Sequence, residues 1–238
     1  MRNKISRLFI LSMAFFGLTL QAQEKVKKSP EFLQYTNSKW VDSIMQELTP
    51  KERIAQLIMV AAYSNRDNAH KEEILKLINE QKIGGLIFFQ GDPETQLKLM
   101  NDYQLASEVP LLGAIDAEWG LGMRLDNTIS YPYQMALGAI RDDSLVYDLG
   151  KEVARQIKRT GLHLNFAPVV DVNNNPNNPV INYRSFGENK KNVSEKGIAY
   201  MRGMQDANLL TTAKHFPGHG DTDTDSHYAL PQINHPFE

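Results

Sequence analysis

The chain has 238 residues, with 26 Lys and Arg against 28 Asp and Glu, 42% hydrophobic residues and no cysteine. That length supports one sizeable core or two small ones, and the composition is that of a globular protein, not a disordered or fibrous one. The lack of cysteine excludes a disulfide framework, a cysteine nucleophile, a thiolate zinc site and a lipid anchor on a leader sequence.

Arg2, Lys4 and Arg7 precede the largely apolar stretch Leu8 to Leu20, and a small residue, Ala22, follows it. A basic start before a run too short to span a bilayer reads as a cleaved secretory signal over residues 1–22. Its removal takes away only basic residues, so the remainder is more acidic than the whole chain, whose formal net charge is −2. A mildly acidic surface with no basic stripe argues against a nucleic-acid partner. The expected location is the periplasm or exterior of a bacterium, with no membrane span in the mature chain. Residues 23–38 read as a polar lead-in and residues 39–238 as the folded domain.

From Trp40 onward the pattern alternates. A helix is expected over Ser38 to Leu48, with Val41, Ile44, Met45 and Leu48 on one face. Thr49-Pro50-Lys51-Glu52 starts another, with a Thr cap, Pro at the first helical position and Glu three residues past the cap. Leu57 to Ala62 is a candidate first strand. Lys71 to Gln81 reads as a helix with Ile74, Leu75 and Ile78 inward, stopped by Gly84-Gly85, and Leu86 to Phe89 as a strand apolar on both faces. Asp92-Pro93 caps a helix reaching Ser107, and Pro110 to Asp116 is a strand ending on a carboxylate. Residues 142–160 form a helix with Leu145, Leu149, Val153 and Ile157 at i,i+4 spacing, closed by Gly161. Leu162 to Val172 is a strand, Asn192 to Asn208 a helix, and Leu209 to His215 a strand.

Strands alternating with helices imply parallel β-α-β units, which fit either a doubly wound sheet or a (β/α)8 barrel. No Gly-x-Gly-x-x-Gly follows a strand, so nothing favours a dinucleotide fold. About five β/α units are present, fewer than a barrel needs. The chain also stops at Pro236-Phe237-Glu238 without a recognisable last element, and a fragment of a longer protein is expected.

In a parallel barrel the strands end on the ligand-binding face. Asp116, Arg124, Arg184 and Lys214-His215 all fall at or just past strand ends. Taken singly, each is more readily a turn former or a surface ion pair. Together they could hydrogen-bond a polyhydroxylated ligand. The segment Lys214 to His227, KHFPGHGDTDTDSH, is the richest in chemistry. Pro217, Gly218 and Gly220 forbid the helix that would pair His215 with His219 on zinc, and the Asp/Thr alternation lacks the glycine and terminal Glu of an EF-hand loop. No metal or cofactor is expected, although metal binding and a solvated loop without chemistry remain alternatives. In Asp225-Ser226-His227 a carboxylate two residues before an imidazole can fix its tautomer and stabilise the imidazolium, leaving the other nitrogen to exchange a proton. Ser226 lacks both a Gly-x-Ser-x-Gly elbow and good geometry for activation by His227.

Lys-His-Phe-Pro-Gly-His-Gly followed by Asp-Ser-His resembles the signature of family 3 glycoside hydrolases, in their bacterial β-N-acetylglucosaminidase branch. Asn-Pro-x-Asn-Pro-Val-x-x-x-Arg-Ser-Phe-Gly (residues 175–187) and Asp116 to Arg124 are similar to two further blocks, in the family's order, and the resemblance covers about residues 40–235. It implies a TIM-type (β/α)8 barrel, incomplete here, and a retaining hydrolase acting on β-linked N-acetylglucosaminides such as peptidoglycan- or chitin-derived sugars. It implies that Asp116, Arg124, Arg184, Lys214 and His215 hold the sugar, that His227 is the acid/base oriented by Asp225, and that an aspartate on a later strand is the nucleophile. That differs from the usual pair of carboxylates. The first block reads Asp-Ala-Glu-Trp-Gly-Leu-Gly-Met-Arg where cytosolic recycling members carry Asp-Gln-Glu-Gly-Gly-Arg-Val-x-Arg, so Trp119 and Met123 bear on which aglycone fits. A β-glucosidase, a sugar-binding fragment without catalysis, a metallohydrolase, and phosphate in place of water as acceptor stay open.

Overall fold

The computed structural model describes residue 33 and residues 35–233. The expected signal at residues 1–22, most of the lead-in and the last five residues lie outside them. The chain divides into two units between Gln46 and Glu47. Helix α1 (Lys39–Glu47) forms where the periodicity puts it, but none of its residues is buried, and Val41 and Met45 of the expected inward face are exposed.

The second unit opens with α2 (Pro50–Ala55). Its capping box is complete: Thr49 accepts from the Glu52 N–H, and the Glu52 carboxylate accepts from the Thr49 N–H at 2.8 Å. The elements that follow are β1 (Met59–Tyr63), α3 (Asn68–Lys76, prolonged by a π turn at Leu77–Gln81), β2 (Gly85–Phe89), α4 (Pro93–Ala106), β3 (Leu112–Ile115), α5 (Gln134–Gly138), α6 (Asp143–Arg159), β4 (Leu164–Asn165), α7 (Lys190–Asp206) and β5 (Leu210–Thr211). Helix α3 starts earlier than the apolar spacing suggests because Asp67 caps it, accepting from the His70 N–H. Among the described residues no helix is long and apolar enough to cross a membrane.

All five strands are parallel and paired in chain order, with Met59 opposite Gly85, Gly85 opposite Leu112, Ala114 opposite Leu164 and Leu164 opposite Leu210. The order decides between the two architectures. A doubly wound sheet reverses direction once and so has helices on both faces. Right-handed crossovers that never reverse put every helix on one face, and the sheet can bury its other face only by curling on itself. This is the sheet of a TIM-type barrel, with five strands present.

The core lies between strands and helices. Ala62, Leu86, Phe88 and Ile115 join Ile74, Ile78, Met100 and Tyr103, all buried, with the Phe88 and Tyr103 rings 6.4 Å apart. Burying a side chain of Leu or Phe size contributes ~1.5–3 kcal/mol. Ile87 and Phe89 alternate onto the opposite, inner face and are half-buried.

Two expectations are corrected. Leu145 of α6 is exposed, and the buried stripe is Val146, Gly150, Val153, Ala154 and Ile157. Close approach of α7 selects it: a Cβ on Gly150 would lie 2.4 Å from the Tyr200 carbonyl, and one on Gly203 would lie 2.0 Å from that of Tyr147. The expected long strands over 162–172 and 209–215 shrink to two-residue ladders: Pro168 has no N–H to donate, and beyond the ladders the segments meet through the Thr212 N–H to Ala167 carbonyl bond at 3.2 Å and the Val169–Lys214 bridge.

Candidate active site

The loop that leaves β3 carries most of the charge. Its course is fixed from β4, where the buried Asn165 amide accepts from the Ala117 N–H at 3.0 Å and donates to the Ala117 carbonyl at 3.1 Å. Asp116 and Glu118 lie on either side of that clamp. A 3-10 turn at Leu121–Met123 returns the chain, so that Arg124 donates from Nη2 to Asp116 Oδ2 at 2.8 Å and from Nε to the Asp116 carbonyl at 2.9 Å. The same guanidinium covers the Phe89 ring, 4.8 Å from its centre.

Lys214, just past β5, places Nζ 2.6 Å from Asp116 Oδ1 and 2.7 Å from Glu118 Oε1. Arg184, from a 3-10 turn at Asn182–Arg184 in the loop after β4, grips Glu118 in a fork, Nη2 to Oε1 at 2.6 Å and Nε to Oε2 at 3.0 Å. Its backbone is held by α5, whose buried Gln134 donates to the Arg184 carbonyl at 2.7 Å and to the Val169 carbonyl at 2.8 Å. Asp116, Arg124, Arg184 and Lys214 are thus drawn together as their strand-end positions suggest. The residue that joins them, Glu118, has a side chain with 0% exposure. Burial pushes the Asp116 carboxyl up, but the Lys214 and Arg124 charges and hydrogen bonds outweigh it and hold the group below the usual aspartate range. Two carboxylates and three cations leave one positive charge in surplus and N–H donors able to reach hydroxyls.

A second network shapes the loop after β5. Asp171, fully buried, accepts from the His219 N–H at 2.6 Å and from the His215 N–H at 3.2 Å, and its Oδ2 lies 2.7 Å from His215 Nδ1. His215 therefore has Nε2 left for a ligand. His219 bonds Thr222 through Nδ1, and its Nε2 lies 3.1 Å from Ser226 Oγ. Asn178 donates to the His219 and Thr222 carbonyls at 2.6 and 2.8 Å. Ser226 thus turns to His219, and the residues on either side of it pair with each other. Asp225 Oδ1 lies 2.7 Å from His227 Nδ1 and accepts from the His227 N–H at 2.8 Å, the contact that the Asp-x-His spacing suggests. Those bonds from His227 lower the Asp225 carboxyl, so it stays ionised opposite the ring. The His227 side chain is 71% exposed, and among the described residues no hydrogen bond to Nε2 is made. Among the described residues the pair makes no hydrogen bond to Asp116, Arg124, Arg184 or Lys214. Nor, among those residues, do three His, Asp or Glu side chains gather as they would around a metal ion.

Sequence reasoning missed Glu118, Asp171 and the anchoring role of His219. Asp171 carried a usable signal, a carboxylate closing an apolar run as Asp116 does. Glu118, inside a loop between Ala117 and Trp119, carried one only through the resemblance, as a position that both versions of the first block share.

Parallel strands in unbroken order, with charged side chains gathered at their carboxyl ends, define a TIM-type α/β barrel domain. The chain belongs to glycosyl hydrolase family 3, whose N-terminal domain model matches residues 49–238. It is 39% identical over 176 residues to Beta-hexosaminidase A of Pseudoalteromonas piscicida, an alignment covering 68% of this chain and 29% of that protein. It is 35% identical over 188 residues to Beta-hexosaminidase LpqI of Mycobacterium tuberculosis, covering 76% of this chain and 46% of the relative. The structure of a glycoside hydrolase family 3 beta-N-acetylglucosaminidase from Paenibacillus sp. str. FPU-7 superposes with a TM-score of 0.70 at 39% identity, covering 78% of this chain and 36% of that one. The chain spans less than half the length of each of these proteins.

Proposed function

We propose that this chain supplies the sugar grip and the proton-transfer group of a retaining β-N-acetylglucosaminidase. The supporting observation is the 2.7 Å contact between Asp225 and His227, on a loop tied through Ser226, His219 and Asp171 to the strand ends that carry Lys214. The names of the relatives agree with that chemistry. Asp116, Arg124, Arg184 and Lys214, with Nε2 of His215, bind the hydroxyls of the sugar whose bond is cut. With Asp225 ionised against Nδ1, protonated His227 gives its Nε2 proton to the glycosidic oxygen as the bond from that oxygen to C1 breaks. The nucleophile, an aspartate on a later strand as the family resemblance implies, forms its bond to C1. Neutral His227 then takes a proton from water, whose oxygen attacks C1 and releases the aspartate. A histidine serves both directions near neutral pH and adds no second negative charge beside the glycosyl-enzyme.

The leader-like residues 1–22 support secretion to the periplasm or exterior, where peptidoglycan- or chitin-derived sugars would be substrates. Cell fractionation, with mass measurement of the mature N-terminus, tests that part.

The main test is His227→Ala in the full-length protein. General acid-base groups contribute about 10²–10⁴-fold, and a loss of that size is expected in turnover of an aryl N-acetylglucosaminide. Near-normal turnover refutes the assignment. An aryl glucoside turned over faster than the N-acetylglucosaminide points to a β-glucosidase, and sugar phosphate as product points to phosphate as acceptor.

A further inference from the structure

Three aromatic side chains stand beside the ion-pair cluster. Trp119 follows Glu118 and Tyr183 precedes Arg184, so the Glu118–Arg184 fork brings the two rings to the same rim from the loops after β3 and β4. Tyr133 lies between them, its ring centre 4.6 Å from that of Trp119 at 77° and 4.5 Å from that of Tyr183 at 46°. Tyr133 is 44% and Tyr183 53% exposed, and Trp119 is half-buried. Among the described residues neither tyrosine hydroxyl has a hydrogen-bond partner in the protein. Side chains of this size usually go to the core with their polar tip satisfied. These form an angled corner open to water, and its walls are fixed from the backbone: Trp119 O accepts from the Tyr131 N–H at 2.9 Å, and Gln134 holds the Arg184 carbonyl.

We propose that Trp119, Tyr133 and Tyr183 form a second saccharide subsite, which takes the sugar on the leaving side of the bond cut at the Asp116–Glu118–Lys214 grip. The inference rests on the function proposed above and names its aglycone class, a pyranose and not a peptide or alkyl group. A β-linked pyranose has its axial C–H bonds on the flat faces of the ring, and aromatic faces carry the negative potential that attracts them. The two free tyrosine hydroxyls can meet equatorial hydroxyls at its edge. A corner suits a ring held on one face and one side, whereas a flat aromatic stack would bind either face in any rotation.

The chain has two tryptophans, Trp40 and Trp119. In full-length protein the part of the tryptophan emission that Trp119→Phe removes is that of Trp119, and it reports on the corner whether or not turnover occurs. Addition of the β-1,4-linked disaccharide of N-acetylglucosamine should shift this emission, and Tyr183→Ala should weaken the apparent affinity about tenfold, equivalent to about 1.4 kcal/mol. In kinetics, Trp119→Ala should lower about tenfold the ratio of kcat/KM for the disaccharide to that for N-acetylglucosaminyl fluoride, whose leaving group has no ring, and Trp119→Phe should restore most of it. An unchanged ratio, or an emission that the disaccharide leaves unmoved, overturns the subsite. If the parent protein hydrolyses neither substrate the catalytic reading fails, and the emission shift alone decides whether the corner binds sugar.

Discussion

Glu118→Gln keeps the shape of the side chain and removes its charge. In the parent, Oε1 takes Arg184 Nη2 at 2.6 Å and lies 2.7 Å from Lys214 Nζ, while Oε2 takes Arg184 Nε at 3.0 Å. A glutamine can set its carbonyl against one side of that fork, and its NH2 then confronts an N–H on the other. One charge-assisted hydrogen bond is lost, ~1.5–3 kcal/mol, and outright rupture of a buried pair would cost ~3–5 kcal/mol. Lys214 retains Asp116, and Arg184 retains the Val180 carbonyl at 3.2 Å, so the lower part of that span applies, about 2–3 kcal/mol. The assay is a urea titration of full-length protein, following the transition of this domain in the parent, Glu118→Gln, Arg184→Met and the double variant. Residues in direct contact should couple by about 1 kcal/mol or more. Strictly additive losses would refute the reasoning, since they would make Glu118 a buried carboxylate indifferent to its partner.

Asp116 gives a prediction with a definite sign. Its carboxyl is held below the ordinary aspartate range, so its contribution is fully present above that range and is lost as pH falls through the lower folded value. Asp116→Asn should be less stable than the parent at neutral pH, with the gap closing only in strong acid; acid titrations followed by circular dichroism should show no closing near pH ~6. Ser226→Ala removes the bond between Oγ and His219 Nε2, ordinarily ~0.5–1.5 kcal/mol, and should reduce kcat about three- to tenfold in steady-state kinetics while N-acetylglucosamine binding stays near the parent value. Gly203→Ala drives a methyl toward the Tyr147 carbonyl and should cost about 1–3 kcal/mol in thermal unfolding.

Much of the scaffold could be read from the sequence because its signals are local. Thr49 with Glu52, and Asp92 before Pro93, carry their helix starts within four residues, and both caps are present. Leu86 to Phe89 reads as a buried strand from composition alone. The helix over 142–160 is legible in extent and largely in rotation: Val153 and Ile157 are buried and Leu149 packs against the core, and only Leu145 turns to solvent. Its leucines suggest the buried face, whereas the seam with α7 is set by Gly150 and Gly203, where backbones meet; contact distance between helices is invisible to an apolar periodicity. The site divides the same way. Asp116 and Lys214 stand out as charges ending apolar runs. Glu118 finds its partner in Arg184, 66 residues away, and Asp171 in His219, 48 residues away. A pairing at that separation leaves no pattern in a single chain.

The reach of Lys214 has a consequence for assembly. Its bond to Asp116 joins positions 98 residues apart, and it is the last of the cluster's cations to be synthesised. Until β5 docks, Asp116 has Arg124 and Glu118 has Arg184, and no cation touches both acids. Closure of the fifth β/α unit is therefore an electrostatic event as well as an apolar one. A nascent chain halted before residue 214 would carry two separate ion pairs where the finished domain carries one joined cluster.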